Sequence, residues 1–173
     1  MRAVAVTGVQ VRPGRDEDAE GFIALIGACW AEYPGCVLDV DGEVPELRAL
    51  ASHFAAKGGA LWAAELEGSI IGMVGIAPAA LEEAWELSRL YVAARHRGTG
   101  LAAHLLALAE HHAVARGANR LLLWSDTRFT RAHRFYEKHG WQRTGETRSL
   151  ADLSATVEFR FEKAVACGGR TRG

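Results

Sequence analysis

The chain has 173 residues, of which 49% are hydrophobic and 24% are charged, and its formal net charge is -1. This length predicts a single domain, because a domain of this size buries roughly 70% of its unfolded surface and so forms a real core. The near-neutral charge argues against a nucleic-acid binder with a broad basic face, and no apolar stretch of the sequence is long enough for a membrane span.

Cysteine and histidine usage predicts neither a disulfide framework nor a metal site. Cys29, Cys36 and Cys167 are scattered and form no Cys-x-x-Cys pair. The histidines show no His-Glu-x-x-His spacing, so we predict no metal. The N-terminus has no signal-peptide pattern, and scattered reduced thiols favour the cytoplasm as the compartment.

The first half of the chain predicts three strands and two helices. Asp16 is predicted to cap the first helix, which stops at Tyr33-Pro34-Gly35. The acidic segment 36–44 is predicted to be irregular, and Pro45 suits the first position of the second helix. The predicted strands are 6–12, 60–66 and 70–76, the last two forming a hairpin, and the second helix covers 45–57.

The stretch 86–113 carries the main functional signal. Residues 87–92 are apolar and β-prone, residues 95–100 form a basic turn with two glycines, and leucines from Leu101 onward recur at helical spacing. The first amides of a helix have no partners within it and lie at the positive end of the helix dipole, so they bind anions. Glycines in the turn allow close approach of a pyrophosphate.

The hexapeptide Arg95-His96-Arg97-Gly98-Thr99-Gly100 resembles the Gln/Arg-x-x-Gly-x-Gly/Ala signature of GCN5-related N-acetyltransferases, the GNAT superfamily. The resemblance implies that the turn holds the pyrophosphate of the cosubstrate acetyl-CoA. It also implies that the preceding strand presents backbone amides to the pantetheine and the acyl carbonyl. The implied cofactor-binding residues are Leu90, Tyr91, Val92, Arg95, His96, Arg97, Gly98, Thr99, Gly100 and Leu101.

The same glycines also match Gly-x-Gly-x-x-Gly/Ala over 98–103, the fingerprint of dinucleotide-binding proteins. An acidic residue, Asp126, ends the next predicted strand, as that alternative requires. Against it, residues 93–97 separate the strand from the glycines. The remaining chain is also too short for the further βα units of a doubly wound domain. We therefore favour acetyl-CoA over a dinucleotide.

The order of elements resembles the GNAT fold across nearly the whole chain. That resemblance implies an α+β sandwich, with a mixed, mostly antiparallel sheet, a splayed parallel central pair and helices on both faces. We expect one domain over 1–163 and a disordered tail over 164–173. The remaining predicted elements are a strand at 121–124, a helix at 128–139 and closing strands at 141–146 and 156–161.

The peptide Phe135-Tyr136-Glu137-Lys138-His139-Gly140-Trp141 resembles the second GNAT motif, in which a helix ends in Tyr-Glu-Lys-x-Gly-Phe. The resemblance implies that Tyr136 lies near the CoA sulfur and protonates the departing thiolate. The alternative for Tyr136 is a core aromatic whose hydroxyl is satisfied elsewhere. The family usually has an asparagine at the position of Phe129, where it bonds the pantetheine. The candidates to replace it are Ser125, Asp126 and Thr127.

Leu87 and Leu90 are out of step for an alternating strand, which predicts a β-bulge. Such a bulge would splay the two parallel strands and open the slot that the cofactor enters. The family often uses a glutamate on this strand as the general base, which makes Glu86 the candidate. Ser88 is a weaker one, and a solvent-facing carboxylate is the alternative for Glu86.

Together these residues predict an acetyl-CoA-dependent N-acetyltransferase that transfers an acetyl group directly to the primary amine of a small molecule. The alternative is a non-catalytic acyl-CoA-binding or sensing module on the same fold. We expect neither a nucleic-acid nor a membrane partner, and a homodimer is left open as the assembly. Acidic residues on the acceptor side of the family would favour a cationic amine. They are Asp39, Asp41, Glu43, Glu82 and Glu83.

Overall fold

The computed structural model describes residues 7–166, which contain seven strands and five α-helices. Strands β1 to β7 are Gln10–Pro13, Ala60–Leu66, Ser69–Pro78, Ala84–Val92, Arg120–Asp126, Gln142–Ser149 and Val157–Ala164. Helices α1 to α5 are Ala19–Trp30, Val40–Glu43, Leu50–Ala56, Leu101–Ala115 and Thr130–Lys138. Short 3-10 turns lie at Asp16–Asp18, Pro45–Ala49 and Ala94–His96.

The strands form one sheet in the order β1-β2-β3-β4-β5-β7-β6. Among these strands only β4 and β5 pair in parallel, and every other neighbouring pair is antiparallel. The predicted mixed sheet with a parallel central pair is therefore confirmed. A doubly wound dinucleotide domain needs a mostly parallel sheet, so that alternative does not fit the fold.

Helices cover both faces of the sheet, as predicted. On one face α4 and α5 bury apolar side chains such as Leu105 and Tyr136 in a cluster that also contains Phe161 of β7. On the other face α1 and α3 bury a second cluster that includes Phe22 and Phe54. Each fully buried large side chain contributes about 1.5–3 kcal/mol relative to exposure. These two layers hold the central strands on both sides and so fix the position of β4.

Strands β4 and β5 pair only where they begin and then separate. The paired residues are Ala84, Trp85 and Glu86 with Arg120, Leu121 and Leu122. The β3–β4 register shifts between Met73 and Gly75, so that Arg89 and Leu90 both stand opposite one residue of β3. Arg89 has a φ of 59°, which only a bulge or a turn imposes on such a side chain. The predicted bulge and splay are both confirmed.

Several predicted bounds differ from the structure. The short helix α2 lies inside segment 36–44, where the Asp39 carboxylate accepts a hydrogen bond from Gly42 N at 3.0 Å. The closing strands each extend three residues past their predicted ends. β7 includes Ala164, and Val165 N donates to the Asn119 carbonyl at 3.0 Å. The rest of the predicted tail, with Cys167, lies outside the described residues, as does the start of the first predicted strand.

Residues 7–166 contain neither a candidate membrane-spanning helix nor a candidate metal site. None of the helices in this part of the chain has the length and apolar character needed to cross a membrane. No group of three or more His, Cys, Asp or Glu side chains within it could hold a metal ion.

Candidate active site

Residues 95–100, here called the glycine turn, connect β4 to α4. Gly98 and Gly100 have φ values of 75° and 87°, which are strained for any residue with a Cβ. A Cβ built on either glycine would meet nothing within 4 Å, so both face open space. His104 N donates to the Gly100 carbonyl at 3.0 Å, which is the first hydrogen bond of α4.

Six consecutive backbone amides lie at this turn without an acceptor. The amides of residues 98–103 donate no hydrogen bond to any group within 7–166. Three of them belong to the first turn of α4, where the helix dipole is positive. Successive unpartnered amides at a helix start bind phosphate groups. The observed backbone therefore fits a pyrophosphate, and the open space beside both glycines leaves room for it.

The arginines of the turn have different surroundings. Arg97 binds Glu32, just after α1, with an Nη1–Oε1 distance of 2.7 Å. This pairing lowers the pKa of Glu32 and ties the glycine turn to α1. Arg95 is exposed and has no ion pair among the described residues. Thr99 Oγ1 donates to the His96 carbonyl at 2.6 Å, which fixes the turn from within.

A cavity of about 430 Å³, here called the central cavity, opens where β4 and β5 separate. Its volume is typical of small-molecule sites, which range over about 300–1,000 Å³. Residues from 43–57 and from 148–158 line it together with the splayed strands. Of the predicted site residues, the structure brings Glu86, Leu90, Tyr91 and Tyr136 into this lining. Val92 is buried beside it, and the glycine turn lies outside it.

Tyr136 of α5 is 7% exposed and packs against the rings of Trp141 and Phe161. Its hydroxyl makes no hydrogen bond within the described part of the chain. Burial first, and the neighbouring Tyr91 second, raise the pKa of Tyr136 well above its ordinary value. The hydroxyl is therefore protonated at neutral pH, lines the cavity and is free to donate its proton.

Glu86 is the last residue of β4 that pairs with β5. It is half-buried and lines the central cavity, as does Ser88 two residues further along the strand. The Glu86 carboxylate makes no hydrogen bond and no ion pair with any described residue. A carboxylate in a cavity with no partner can accept a proton from a bound ligand or a water.

An acidic part of the cavity lies on β5 and β7, where sequence reasoning named Asp126 as a candidate pantetheine contact but missed Glu158. Glu158 lies 3.0 Å from Arg148 Nε, and Asp126 lies 2.7 Å from Arg128 Nη2. Burial raises the pKa of Glu158, and the Arg148 charge opposes that shift. The alternation of Val157, Phe159 and Phe161 was visible in the sequence. It puts Glu158 on the opposite face, and this was the available signal for a cavity carboxylate.

Sequence reasoning also missed a basic cluster, defined here as Arg89, His53 and Lys57, which lines the same cavity. Arg89 Nη2 lies 3.3 Å from Glu46 Oε1. Burial lowers the pKa of His53, the positive charge of Lys57 lowers it further, and Glu46 opposes the change. His53 is therefore neutral at pH 7. His53 lies in α3, Lys57 directly follows α3 and Arg89 stands at the bulge of β4, so no local pattern marked them.

The position of the usual pantetheine asparagine is occupied by Phe129, whose ring lies 4.8 Å from that of Tyr33. Nearby, His133 Nε2 lies 2.9 Å from the Asp126 carbonyl and 3.1 Å from Ser125 Oγ. A carbonyl only accepts, so Nε2 carries the proton and donates to both oxygens. The Ser125 hydroxyl thus keeps its own hydrogen for a ligand, and Ser125 lines the cavity.

Comparison with known proteins connects this site to a family. The model of the "Acetyltransferase (GNAT) family" matches residues 23–141 of the chain. The Escherichia coli protein named "Uncharacterized N-acetyltransferase YjgM" is 33% identical over 130 residues, which cover 73% of this chain and 77% of that protein. Human N-acetyltransferase 8 is 28% identical over 123 residues, covering 68% of this chain and 52% of that protein. The chain thus spans about half the length of the human relative.

Solved structures show the same fold. The PaiA N-acetyltransferase from Thermoplasma acidophilum, in complex with coenzyme A, superposes with a TM-score of 0.68 at 18% identity. The superposition covers 91% of this chain and 99% of that one. At this identity the likeness concerns the fold alone.

Proposed function

The chain belongs to the GNAT acetyltransferase family, and from this we propose that it is an enzyme that acetylates the primary amine of a small molecule, with acetyl-CoA as donor. The observation that carries the proposal is the unpartnered, protonated hydroxyl of Tyr136 in the cavity between β4 and β5. A module that only bound acyl-CoA would not need such a group there.

The donor is held, in this proposal, by backbone groups. The amides of residues 98–103 bind the pyrophosphate, because they have no acceptor within the described residues and stand at the start of α4. The thioester arm follows the edge of β4 that β5 leaves unpaired after Glu86. The Ser125 hydroxyl, oriented by His133, takes the place of the usual asparagine on the pantetheine.

Proton transfer is divided between two side chains. Glu86 accepts a proton from the incoming ammonium, directly or through one water, and so exposes the lone pair that attacks the thioester. When the carbon–sulfur bond breaks, Tyr136 donates its proton to the thiolate that leaves. The Tyr136 hydroxyl lines the cavity and is protonated at neutral pH, as a proton donor must be.

Direct transfer is favoured over an acyl-enzyme. Cys36 also lines the central cavity, and burial raises the pKa of its thiol. A thiol that stays protonated is a poor nucleophile. The amine is therefore the group that attacks the thioester. Scattered cysteines with no predicted disulfide fit a cytoplasmic enzyme, where acetyl-CoA is supplied.

The experiment that tests the proposal measures free CoA thiol while a panel of small primary amines is offered with acetyl-CoA. We expect thiol release that depends on both substrates, and a mass increase of one acetyl group on the amine. Acetyl-CoA binding without thiol release on any amine would instead support the sensing module. A ligand that binds the native state raises the melting temperature. If acetyl-CoA does not raise it, both the acetyltransferase and the sensing module are overturned.

A further inference from the structure

Arg89 occupies an unusual place for a charged residue. It stands at the bulge of β4 with a φ of 59°, and its side chain lines the central cavity at 19% exposure. A positive φ on a long side chain costs of order 1–3 kcal/mol and persists mostly at functional sites. The bulge aims Arg89 into the cavity at the point where the parallel strands separate.

The guanidinium of Arg89 uses little of its hydrogen-bonding capacity. It donates from Nη2 to Glu46 Oε1 at 3.3 Å, and it also interacts with the Tyr91 side chain. By contrast, Arg128 binds the Asp126 carboxylate through two nitrogens at 2.9 and 2.7 Å. A guanidinium has five N–H donors in a fork that matches a carboxylate. Arg89 therefore keeps most of its donors for a ligand inside the cavity.

The charges of the cavity divide into two sets. Around Arg89, the positive charges of Arg89 and Lys57 face the carboxylate of Glu46, and His53 is neutral. In the other set, the carboxylates of Glu158 and Asp126 are paired with arginines, as described above, and that of Glu86 has no partner among the described residues. The remaining carboxylates of the lining, Glu43 and Asp152, accept hydrogen bonds from Leu153 N and from Thr156, in the segment next to Glu158. The cavity is thus positive on one side and negative on the other.

We infer that the acceptor is an amino acid, whose carboxylate binds the fork of Arg89 while its amine lies in the field of Glu86. This inference rests on the proposed function and names its substrate class. A simple cationic amine would leave Arg89 without its ligand and would be repelled by the basic cluster. A molecule with both charges within a few bonds satisfies both sets at once.

The test compares acceptors that differ only in their carboxylate. The probes are the L-amino acids, β-alanine and γ-aminobutyrate, each beside its own carboxamide. For the preferred amino acid we expect kcat/KM about 10- to 100-fold above that of its carboxamide, the range for a hydrogen bond to a charged group. Equal values for every acid and its carboxamide would overturn the inference.

Variants of the cavity residues test whether Arg89 causes the preference for an amino acid over its carboxamide. Arg89→Met keeps the length of the side chain and should make acid and carboxamide equal, whereas Arg89→Lys should retain part of the ratio. Arg148→Met removes another cavity arginine and should leave the ratio unchanged. Glu46→Gln frees Arg89 from its competitor and should lower KM for the amino acid alone. A KM that rises equally for acid and carboxamide would make Arg89 and Glu46 merely structural.

Binding separates this inference from the proposed function. With CoA in place of acetyl-CoA no transfer takes place, and calorimetry then reports acceptor affinity directly. Preferential binding of the amino acid over its carboxamide, lost in Arg89→Met, supports the inference even if no turnover is found. Turnover of amines with no such preference in binding or in rate supports the proposed function and overturns the inference.

Discussion

The glycine turn and the central cavity present different groups to a ligand: the turn presents backbone amides, and the cavity presents side chains. The turn offers consecutive backbone amides at 98–103, whose position depends on two glycines with positive φ. The cavity offers side chains from six or more separate elements, among them Arg89, Glu86 and Tyr136. A backbone site binds the constant part of a cosubstrate, and a side-chain site can change with the acceptor.

The largest expected effect comes from a substitution in the central cavity, the side-chain site. Tyr136→Phe should lower kcat by about 10²–10⁴-fold, the usual range for a positioned general acid. The affinity for CoA should not change, because in the proposed function the glycine turn, and not Tyr136, holds the pyrophosphate. Steady-state kinetics and calorimetry measure the two quantities. Tyr33→Phe is the matched control, since Tyr33 lies outside the cavity lining, and its kcat should equal that of the parent.

The second effect concerns the acidic limb of the pH profile. Glu86→Gln should reduce kcat/KM by about 10²-fold at neutral pH, with partial recovery at high pH. The reason is that an aliphatic amine, with a pKa near 10.4, then deprotonates in bulk solvent. A pH-rate series checks this, with the exposed Glu82→Gln as control. Superimposable profiles for Glu86→Gln and the parent would exclude Glu86 as the base.

The third effect comes from substitutions in the glycine turn, the backbone site. Gly98→Val and Gly100→Val should each weaken CoA binding by about 10- to 100-fold, because a branched Cβ fills the space beside the amides. Both also force a residue with a Cβ into positive φ, at roughly 1–2 kcal/mol of stability. Gly68→Val carries the same strain, at a φ of 79° in open space on the β2–β3 hairpin. It should lose stability with no loss of CoA affinity in calorimetry.

The smallest effect tests whether Arg97 stabilises the turn or supplies charge to the phosphate. Glu32→Gln removes the partner of Arg97 and should cost no more than about 1 kcal/mol of stability, as for a partly exposed ion pair. CoA affinity should change by less than about threefold, which is under 1 kcal/mol. A large gain in CoA affinity would instead mean that Glu32 keeps Arg97 from the phosphate.

The contribution of the Arg97–Glu32 ion pair to stability should depend on pH. Arg97 lowers the pKa of Glu32 below the ordinary value of 4.5. A carboxyl whose folded pKa is lowered stabilises the fold above its unfolded pKa, and the contribution is lost as pH falls through the folded pKa. The melting-temperature difference between parent and Glu32→Gln should therefore be constant near neutrality and shrink below about pH 4.5.

What could be predicted from the sequence follows the same division. The glycine turn, the helix behind it and the bulge of β4, indicated by Leu87 and Leu90 and found at Arg89 and Leu90, are local patterns that the sequence predicts. The basic cluster could not be predicted, because His53 and Arg89 line one cavity only after α3 packs against the sheet. No spacing in the sequence records that packing.

One local prediction was wrong for a related reason. Asp16 was expected to cap the first helix, but its carboxylate instead accepts from Ser52 N of α3 at 2.9 Å. Asp18 stands at the N-cap of α1 but makes no side-chain cap hydrogen bond, and its carboxylate accepts from Arg15 N at 2.8 Å. Asp16 suits a helix start, and only its tertiary contact with α3 takes it away from that role.

The short pairing of β4 with β5 has a consequence for the lifetime of the protein. Three residue pairs join the two halves of the sheet on the main chain, and beyond them the halves are separate. In the proposed function acetyl-CoA binds in that gap and contacts both halves, and a ligand of the closed form stabilises it by mass action. Cleavage by proteases acts on opened forms. An enzyme whose sheet is joined by so few main-chain pairs would therefore be degraded faster when acetyl-CoA is scarce. Its abundance in the cell would then follow the concentration of acetyl-CoA.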